Sequence, residues 1–314
     1  MIGYLRLILA CGVMFHHILD KPLINFGPFC VFIFYILAGS VSTKLLNLYS
    51  PKEYLKDRFL RIYPVFFLYI SLAFLFFYFS GFWEFRTTLL RTLAHFTLIP
   101  LNYNLIFDIG VVSVVNDKSD IILPPAFSLA LEVQIYFIFA LLFALKKEKF
   151  MKILAIISFI IFTISNLVLI DNEMIYMWDY RYFWGVFFVF YIGKLIREKK
   201  LKELRIWWAI LFIELIVNIY YCDAVSFELP FAVLVGIPLV YELSQIKFKA
   251  KFNSVCGALS YHIFLNHALF YCICMWKFDE LNITFMIISS FLFGLLAYKF
   301  IEKPIERIRF KSIS

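Results

Sequence analysis

Residues 126–145 read AFSLALEVQIYFIFALLFAL, an apolar run in which Glu132 is the only charged residue. A helix needs about 20 predominantly apolar residues to cross the hydrocarbon core of a bilayer, and this run is long enough. A carboxyl group at that depth costs a few kcal/mol unless it has a partner or a function. The run therefore predicts a membrane-spanning helix and marks Glu132 as a candidate functional residue. The alternative for Glu132 is a hydrogen bond between helices.

The rest of the 314-residue chain has the same apolar character. Hydrophobic residues make up 63% of it and charged residues 17%, whereas soluble proteins average roughly 45–50% and about 25%. We therefore expect an all-α, polytopic integral membrane protein of about ten transmembrane helices, formed as a single domain over residues 1–314. The other predicted spans cover residues 4–19, 29–46, 62–83, 153–170, 182–196, 206–221, 229–243, 255–276 and 283–301.

The distribution of Lys and Arg predicts the orientation of these spans. An even number of spans places both termini on one side of the membrane. If that side is the cytoplasm, the cytoplasmic segments hold 21 Lys and Arg residues and the outer loops hold 6. The positive-inside rule therefore favours cytoplasmic termini in a bacterial inner membrane. The net charge of +8 is therefore explained by orientation in the lipid bilayer, and no nucleic-acid partner is expected.

A long outer loop is predicted at about residues 81–125. Its first part carries Arg86, Arg91 and His95 among Leu and Phe residues, a pattern typical of a helix in the membrane interface. Residues 102–125 show no periodicity and are expected to be irregular.

Arg6 and His17 are candidate functional residues of the first span. Their separation of eleven residues corresponds to about 1,100° of helical rotation, or three turns plus roughly 20°, so both project from one face roughly 16 Å apart. In the predicted topology His17 lies near the outer end, where a neutral imidazole can accept a proton from a hydroxyl group and Asp20 can orient the ring. The alternative is that His17 and His16 only form hydrogen bonds at the interface.

Arg58 and Arg61 stand where the third span begins on the predicted cytoplasmic side. Their spacing of three residues places both on one helix face, and a guanidinium fork suits phosphate oxygens. Positive-inside anchoring alone also explains basic residues at this place. Later in the chain, His267 is deeper than the interface, although a lone histidine there is more often a packing residue. Glu214 is interpreted as structural, and no metal site is expected.

Taken together and in order, these segments resemble the membrane acyltransferase-3 family over nearly the whole chain. The family's first helix carries Gly-x-x-Arg followed by ten residues and His, and its third helix begins with a basic stretch ending Arg-Ile-Tyr-Pro. The matching positions are Gly3, Arg6 and His17, residues 34–39 (FYILAG), Arg58, residues 61–64 (RIYP), Glu132, Gln134, Tyr136, Ser260, Tyr261, Leu265, His267 and residues 301–304 (IEKP).

The chain departs from the family pattern at several of these motifs. Phe127 replaces Trp, Ala38 replaces Ser, Phe264 replaces Tyr, and Asn266 precedes the last His. Val133 replaces the second Glu of its motif, which leaves Glu132 as the only carboxylate there.

The resemblance implies an enzyme that moves an acyl group, usually acetyl, from cytoplasmic acyl-CoA to a hydroxyl of an extracytoplasmic or lipid-linked glycan, such as a surface polysaccharide or lipopolysaccharide. Acetyl-CoA is then a donor substrate, and no permanently bound cofactor is expected. His17 and Glu132 become catalytic, with His17 as general base or transient acyl carrier. Acyl-CoA binding falls to Arg6, Arg58 and Arg61, and substrate positioning to Tyr136, Tyr261 and His267.

Two other classes of function compete with this interpretation. A transporter or flippase for a glycan also has many helices with buried charges, although we find none of the internal repeats common in transporters. A non-catalytic membrane subunit is disfavoured because idle intramembrane charges are costly. For an acyltransferase, the acyl group passes either directly to the acceptor or to a separate extracytoplasmic transferase.

Overall fold

The computed structural model describes residues 1–18, 26–115, 118–168, 180–221, 227–246, 248 and 250–311. Asp20, predicted to orient His17, lies outside these residues. Helices account for most of the described chain and cover, in order, α1 (Ile2–His16), α2 (Phe26–Leu46), α3 (Pro51–Ser80), α4 (Leu89–Thr97), α5 (Asn104–Phe107), α6 (Ala126–Ala144), α7 (Glu148–Val168), α8 (Phe183–Arg197), α9 (Leu201–Tyr221), α10 (Glu228–Gln245), α11 (Asn253–Phe278), α12 (Ile283–Ala297) and α13 (Lys303–Lys311). A π-helical turn, Tyr298–Glu302, joins α12 to α13.

The all-α membrane character is confirmed. Among the described residues, five helices are long and apolar enough to cross a membrane: Phe26–Leu46, Pro51–Ser80, Ala126–Ala144, Asn253–Phe278 and Ile283–Arg309. The other five predicted spans overlap helices α1, α7, α8, α9 and α10. Ten crossings with cytoplasmic termini stay a prediction.

Helix α1 packs along α11, and this pair carries three of the predicted site residues, with a fourth, His17, at the C-cap of α1. The backbone N–H of Gly3 donates a hydrogen bond to the Asn253 side chain, with 2.8 Å between N and Oδ1. A Cβ atom at Gly3 would collide with the Asn253 carbonyl, so only glycine permits this contact. The close crossing brings the first helix, with its Arg and His, against the late motif of the chain.

Helices α2 and α8 form the centre of the bundle and are buried over most of their length. A Cβ atom at Gly193 would lie 2.7 Å from the Ser40 amide nitrogen and 3.0 Å from the Gly39 Cα, so the two backbones touch. Small residues at such crossings are typical of membrane helix pairs, because van der Waals packing drives their association.

Helix α3 begins where its sequence predicts a strong start. Ser50 and Glu53 form a capping box, Pro51 occupies the first helical position, and the helix ends at Gly81 with φ of 61°. This fixed start sets the rotation of the helix and therefore the direction in which Arg58 and Arg61 project.

The long outer loop is more ordered than predicted. Helix α4 is present where the Arg- and Leu-rich segment predicted a helix. The prediction that residues 102–125 are irregular is wrong in part. Val112–Val115 pairs with Glu84–Phe85 and with Lys118–Asp120 in an antiparallel three-stranded sheet. The backbone groups of a loop that packs on the bundle are satisfied by these strand pairs.

An ion-pair cluster joins α7, α8 and α9 at their predicted cytoplasmic ends. Lys194 is almost fully buried, and its Nζ lies 3.1 Å from Glu148 and 2.6 Å from Glu198. Hydrogen bonds from Lys200 and Lys194 lower the pKa of Glu148 to about 2. The cluster neutralises a buried lysine and holds three helices together.

Candidate active site

The predicted site residues lie along one line through the bundle, between two clusters. We call the cluster of Arg58, Arg61 and Arg309 the arginine end, and the cluster of His16, His17 and His267 the histidine end. Arg6 and Glu132 lie between them.

Arg58 is held by a carboxylate and two aromatic rings. Its guanidinium forms a hydrogen-bonded ion pair with Asp57 and lies about 6 Å from the ring centroids of Tyr54 and Tyr136. Arg309 of α13 contacts the second oxygen of Asp57 at 2.8 Å. One buried carboxylate therefore joins α3 to the C-terminal helix.

Arg61 is paired with Glu302 of the π-helical turn. Its guanidinium also donates a hydrogen bond to the Gly257 carbonyl at 3.3 Å and lies 5.8 Å from the Tyr261 ring centroid. The side chains of Arg61 and Glu302 are 13% and 4% exposed, so the pair is largely withdrawn from solvent. Both predicted phosphate-binding arginines are thus already matched by carboxylates.

Glu302 is shared with a second buried network. His262 Nε2 lies 2.7 Å from Glu302 Oε2, and its Nδ1 lies 3.0 Å from the Tyr69 hydroxyl. His262 is fully buried. Sequence reasoning selected neither residue, although Glu302 stands in the terminal motif and His262 follows Tyr261 directly.

Arg6 and Glu132 face the same narrow cavity of about 40 Å³, which Tyr261 and Phe264 also line. The two charges attract each other across the bundle, and Arg58 and Arg61 also act on the Glu132 carboxylate. Tyr136, one turn after Glu132, donates a hydrogen bond to its Oε1. The Nε atom of Arg6 has no hydrogen-bond partner among the described residues.

Tyr261 and Gln134 form hydrogen bonds that hold neighbouring parts of the chain together. The Tyr261 hydroxyl donates to the Ile62 carbonyl at 2.9 Å, so it is engaged in joining α11 to α3. Gln134 donates to the Ile99 carbonyl at 2.7 Å and to the Asn102 side chain at 2.8 Å, which fastens the outer loop to α6. The substrate-positioning role predicted for Tyr261 stays a prediction, and its hydroxyl is already engaged by the Ile62 carbonyl.

At the histidine end, three imidazoles meet. The rings of His17 and His267 stack with 5.2 Å between centroids, and His16 meets His17 edge-on at 5.0 Å. His267 Nδ1–H donates to the Ile263 carbonyl at 3.0 Å, so in the neutral ring Nε2 carries the lone pair. Nε2 has no partner in the part of the chain that is described, and His267 is fully buried.

A cavity of about 230 Å³ opens beside His17. Its polar lining comes from His16, Ser128, Asp120, Tyr180 and Arg181. It shares Val31, Ser128 and Phe264 with the narrow cavity of Arg6 and Glu132. The two cavities are therefore adjacent, and together they lead from the buried charges to His17.

His95 of the outer loop is also tied to this region. His95 of α4 is fully buried, with Nδ1 2.9 Å from the Arg91 carbonyl and Nε2 3.4 Å from the Ile122 amide nitrogen. Burial lowers the pKa of His95 to about 4, so the ring is neutral at pH 7. A neutral ring donates at Nδ1 and accepts at Nε2, which both contacts require.

The described residues contain no group of three or more His, Cys, Asp or Glu side chains placed to hold a metal ion. The arrangement instead offers a stacked imidazole pair of which His267 is buried and His17 is exposed, an intramembrane carboxylate and a set of arginines. Such groups can exchange protons and bind phosphate oxygens.

Comparison with known proteins gives the family. A family model described as an acyltransferase domain matches residues 2–299. An uncharacterized protein of Aquifex aeolicus (strain VF5) is 34% identical over 212 residues, which are 60% of this chain and 90% of that protein. No solved structure matches the chain. With its apolar helices and a match over nearly its whole length, the chain belongs to the acyltransferase-3 family of membrane acyltransferases.

Proposed function

We propose that this membrane acyltransferase moves an acyl group, with acetyl as the expected one, from cytoplasmic acyl-CoA to a hydroxyl of an envelope glycan on the other side of a bacterial inner membrane. The observation that carries the proposal is the line of cavities and charges between the arginine end and His17. A donor whose phosphates stay on one side and whose thioester reaches the other side needs such a line.

The arginine end suits the phosphates of CoA. Arg6, Arg58, Arg61 and Arg309 lie within electrostatic range of one another, so their charges add at one place. A polyphosphate would compete with Asp57 and Glu302 for these guanidinium groups. Arginine binds phosphate through two parallel hydrogen bonds, which favours this exchange.

The narrow cavity would take the pantetheine arm. At about 40 Å³ it is too small for the arm in the present arrangement, so side chains must move when the donor enters. The Tyr136–Glu132 hydrogen bond and the Arg6 side chain stand on its wall, and a change in either would widen it. Arg6 would line the route, and Tyr136 would position Glu132.

His17 is the proposed general base. It would take the proton of the acceptor hydroxyl while that oxygen attacks the thioester carbonyl, and the CoA sulfur would leave and receive a proton. As a carrier, His17 would instead hold the acyl group on a ring nitrogen between two transfers. Glu132 would relay or balance the proton in either route, and His267 would hold the His17 ring by stacking.

The acceptor would occupy the cavity of about 230 Å³ beside His17. Carboxylate, guanidinium, phenol and hydroxyl groups from Asp120, Arg181, Tyr180 and Ser128 surround it, and sugars are bound by such groups. Direct transfer needs only this cavity. Transfer through a separate extracytoplasmic protein would use it for the first acceptor.

The proposal is tested with radiolabelled acetyl-CoA added to membranes that contain the enzyme, followed by counting of the envelope glycan fraction. Three proteins are compared at equal amounts: wild type, His17→Ala and Glu214→Gln. Glu214 is an intramembrane carboxylate bonded to Asn218 of its own helix, so its variant controls for loss of a buried polar group. We expect label with wild type and with the control, and at least 100-fold less with His17→Ala.

Other outcomes have defined meanings. Equal labelling by wild type and His17→Ala would remove His17 from catalysis. If radiolabelled acetyl-CoA gives no label with any of the three proteins, transfer from acetyl-CoA is wrong, and movement of a glycan across the membrane becomes the function to test.

A further inference from the structure

His17 also borders a second large cavity. This cavity has a volume of about 200 Å³ and is bounded by Trp83, Ile122, Pro124, Ala268, Tyr271 and Cys272. Two of the seven described residues around it, His17 and Pro124, also line the cavity proposed for the acceptor.

The two cavities differ in chemistry. The acceptor cavity includes a carboxylate, a guanidinium and a serine hydroxyl, whereas the second cavity is bounded by indole, aliphatic, thiol and phenol side chains. Among the described residues that line it, His17 aside, none is acidic or basic. A sugar would leave its hydroxyl groups without partners there, but a hydrocarbon chain would not.

The second cavity borders His17, where the proposed reaction places the acyl group of the donor. In the proposed reaction the thioester carbonyl stands beside His17, with the acceptor hydroxyl in the polar cavity. The remaining direction open to the acyl chain is the apolar cavity. The methyl group of an acetyl would fill only a small part of it, since ~200 Å³ corresponds to roughly six carbon-sized atoms at ~30 Å³ each.

We propose that this apolar cavity is an acyl-chain subsite, which admits donors with chains of about four to six carbons, and that Ala268 and Cys272 set the length limit. The inference rests on the proposed acyl-CoA reaction. Ala268 and Cys272 are four residues apart on α11 and therefore share one helix face. Ala268 directly follows His267, so the limiting face begins next to the imidazole pair.

Burial of each additional methylene is expected to improve kcat/KM by about fourfold until the cavity is full. Hexanoyl-CoA should therefore react at least as well as acetyl-CoA with the wild type. Ala268→Leu would place three more carbons in the cavity and should lower the hexanoyl-to-acetyl ratio of kcat/KM at least tenfold. Trp83→Leu would enlarge the cavity and should raise the ratio.

The test measures kcat/KM for acetyl-, butyryl- and hexanoyl-CoA in membranes that hold the wild type or a variant, with acylation of the envelope glycan fraction as readout. Ala209→Leu makes the same substitution on the exposed face of α9, away from both cavities, and should leave all three values unchanged. The two cavity variants change volume in opposite directions, so a poorly folded Ala268→Leu protein still leaves Trp83→Leu as a test.

The outcomes separate this inference from the proposed function. A wild type that transfers acetyl but rejects butyryl and hexanoyl overturns the subsite and keeps the function. The same holds if neither variant shifts the hexanoyl-to-acetyl ratio. Absence of transfer from all three donors overturns the proposed function and the subsite with it.

Discussion

The imidazole rings of His17 and His267 stack with 5.2 Å between their centroids and 29° between their planes. His17 stands just after the last residue of α1, where a helix end alone would leave its side chain free to rotate. His267, buried in α11 and tied to the Ile263 carbonyl, supplies a fixed surface for it. The buried His267 ring therefore fixes one face of the exposed His17 ring.

We expect His267→Asn to lower kcat by at least tenfold and to leave the KM for acyl-CoA nearly unchanged. An Asn side chain can keep a bond to the Ile263 carbonyl, but it offers His17 no ring. His267→Phe keeps the ring and should retain more activity than the Asn variant. Steady-state kinetics of both variants decide the matter, because equal loss in both would show that Nε2 of His267, rather than stacking, is needed.

The pair of Arg61 and Glu302 gives a prediction on stability. Glu302→Ala leaves Arg61 buried without its carboxylate, and breaking a buried ion pair costs about 3–5 kcal/mol. We expect a clear fall in the thermal midpoint of the detergent-solubilised protein. The double variant Arg61→Met/Glu302→Met leaves no unpaired charge at this pair and should recover part of the lost stability, although His262 Nε2 still lacks its Glu302 partner.

The same double variant separates the two roles of Arg61. If Arg61 binds a CoA phosphate, the KM for acyl-CoA rises at least tenfold even though the protein is stable. A KM equal to that of the wild type would limit Arg61 to holding the C-terminal turn.

Local sequence rules account for much of this site. The eleven-residue spacing of Arg6 and His17 predicts one helix face, and both residues indeed line cavities that adjoin each other. The capping residues before α3 predict its start, and apolar run length predicts the helices. Each of these signals lies within a few turns of one element.

The remaining contacts depend on pairs far apart in sequence. Glu302 and Arg309 meet Arg61 and Asp57 only because the π-helical turn directs the C-terminal helix against α3. No periodicity within either segment encodes that meeting. The sequence also did not predict the strands of the outer loop. Strands of two to four residues with one irregular register give almost no alternating pattern.

Glu132 and Tyr136 provide the next prediction. Glu132→Gln should lower kcat by about 100-fold, because an amide cannot exchange a proton as a carboxyl group does. Tyr136→Phe removes the donor to Glu132 and should have a smaller effect, about tenfold. Acyl transfer by both variants is compared with Glu214→Gln, and a loss as large in that control would point to a general effect of removing intramembrane carboxylates.

The contact between α2 and α8 predicts a packing defect. Gly193→Ala places a Cβ atom against the Ile36 carbonyl and the Ser40 amide, and overpacking of this kind costs about 1–3 kcal/mol. We expect a lower thermal midpoint in detergent, with kcat little changed in the protein that remains folded. Gly81→Ala is a useful comparison, because no atom lies within 4 Å of its added Cβ and its cost comes only from the positive φ.

His95 predicts how stability changes with pH. Its pKa is about 4 in the folded protein because of burial, against about 6.5 in the unfolded chain. Between these values the unfolded state binds the proton more readily, so stability falls as the pH is lowered from about 6.5 to about 4, by about 3 kcal/mol at most. Above pH 6.5 the ring is neutral in both states and the contribution is constant.

The measurement is the thermal midpoint of wild type and His95→Asn at pH 7 and pH 5. Asn can replace the donor to the Arg91 carbonyl, but it does not titrate. The Asn variant should be less stable at pH 7, since it cannot also accept the Ile122 N–H, yet it should lose less stability on acidification. An equal loss in both proteins would assign the acid sensitivity to other groups.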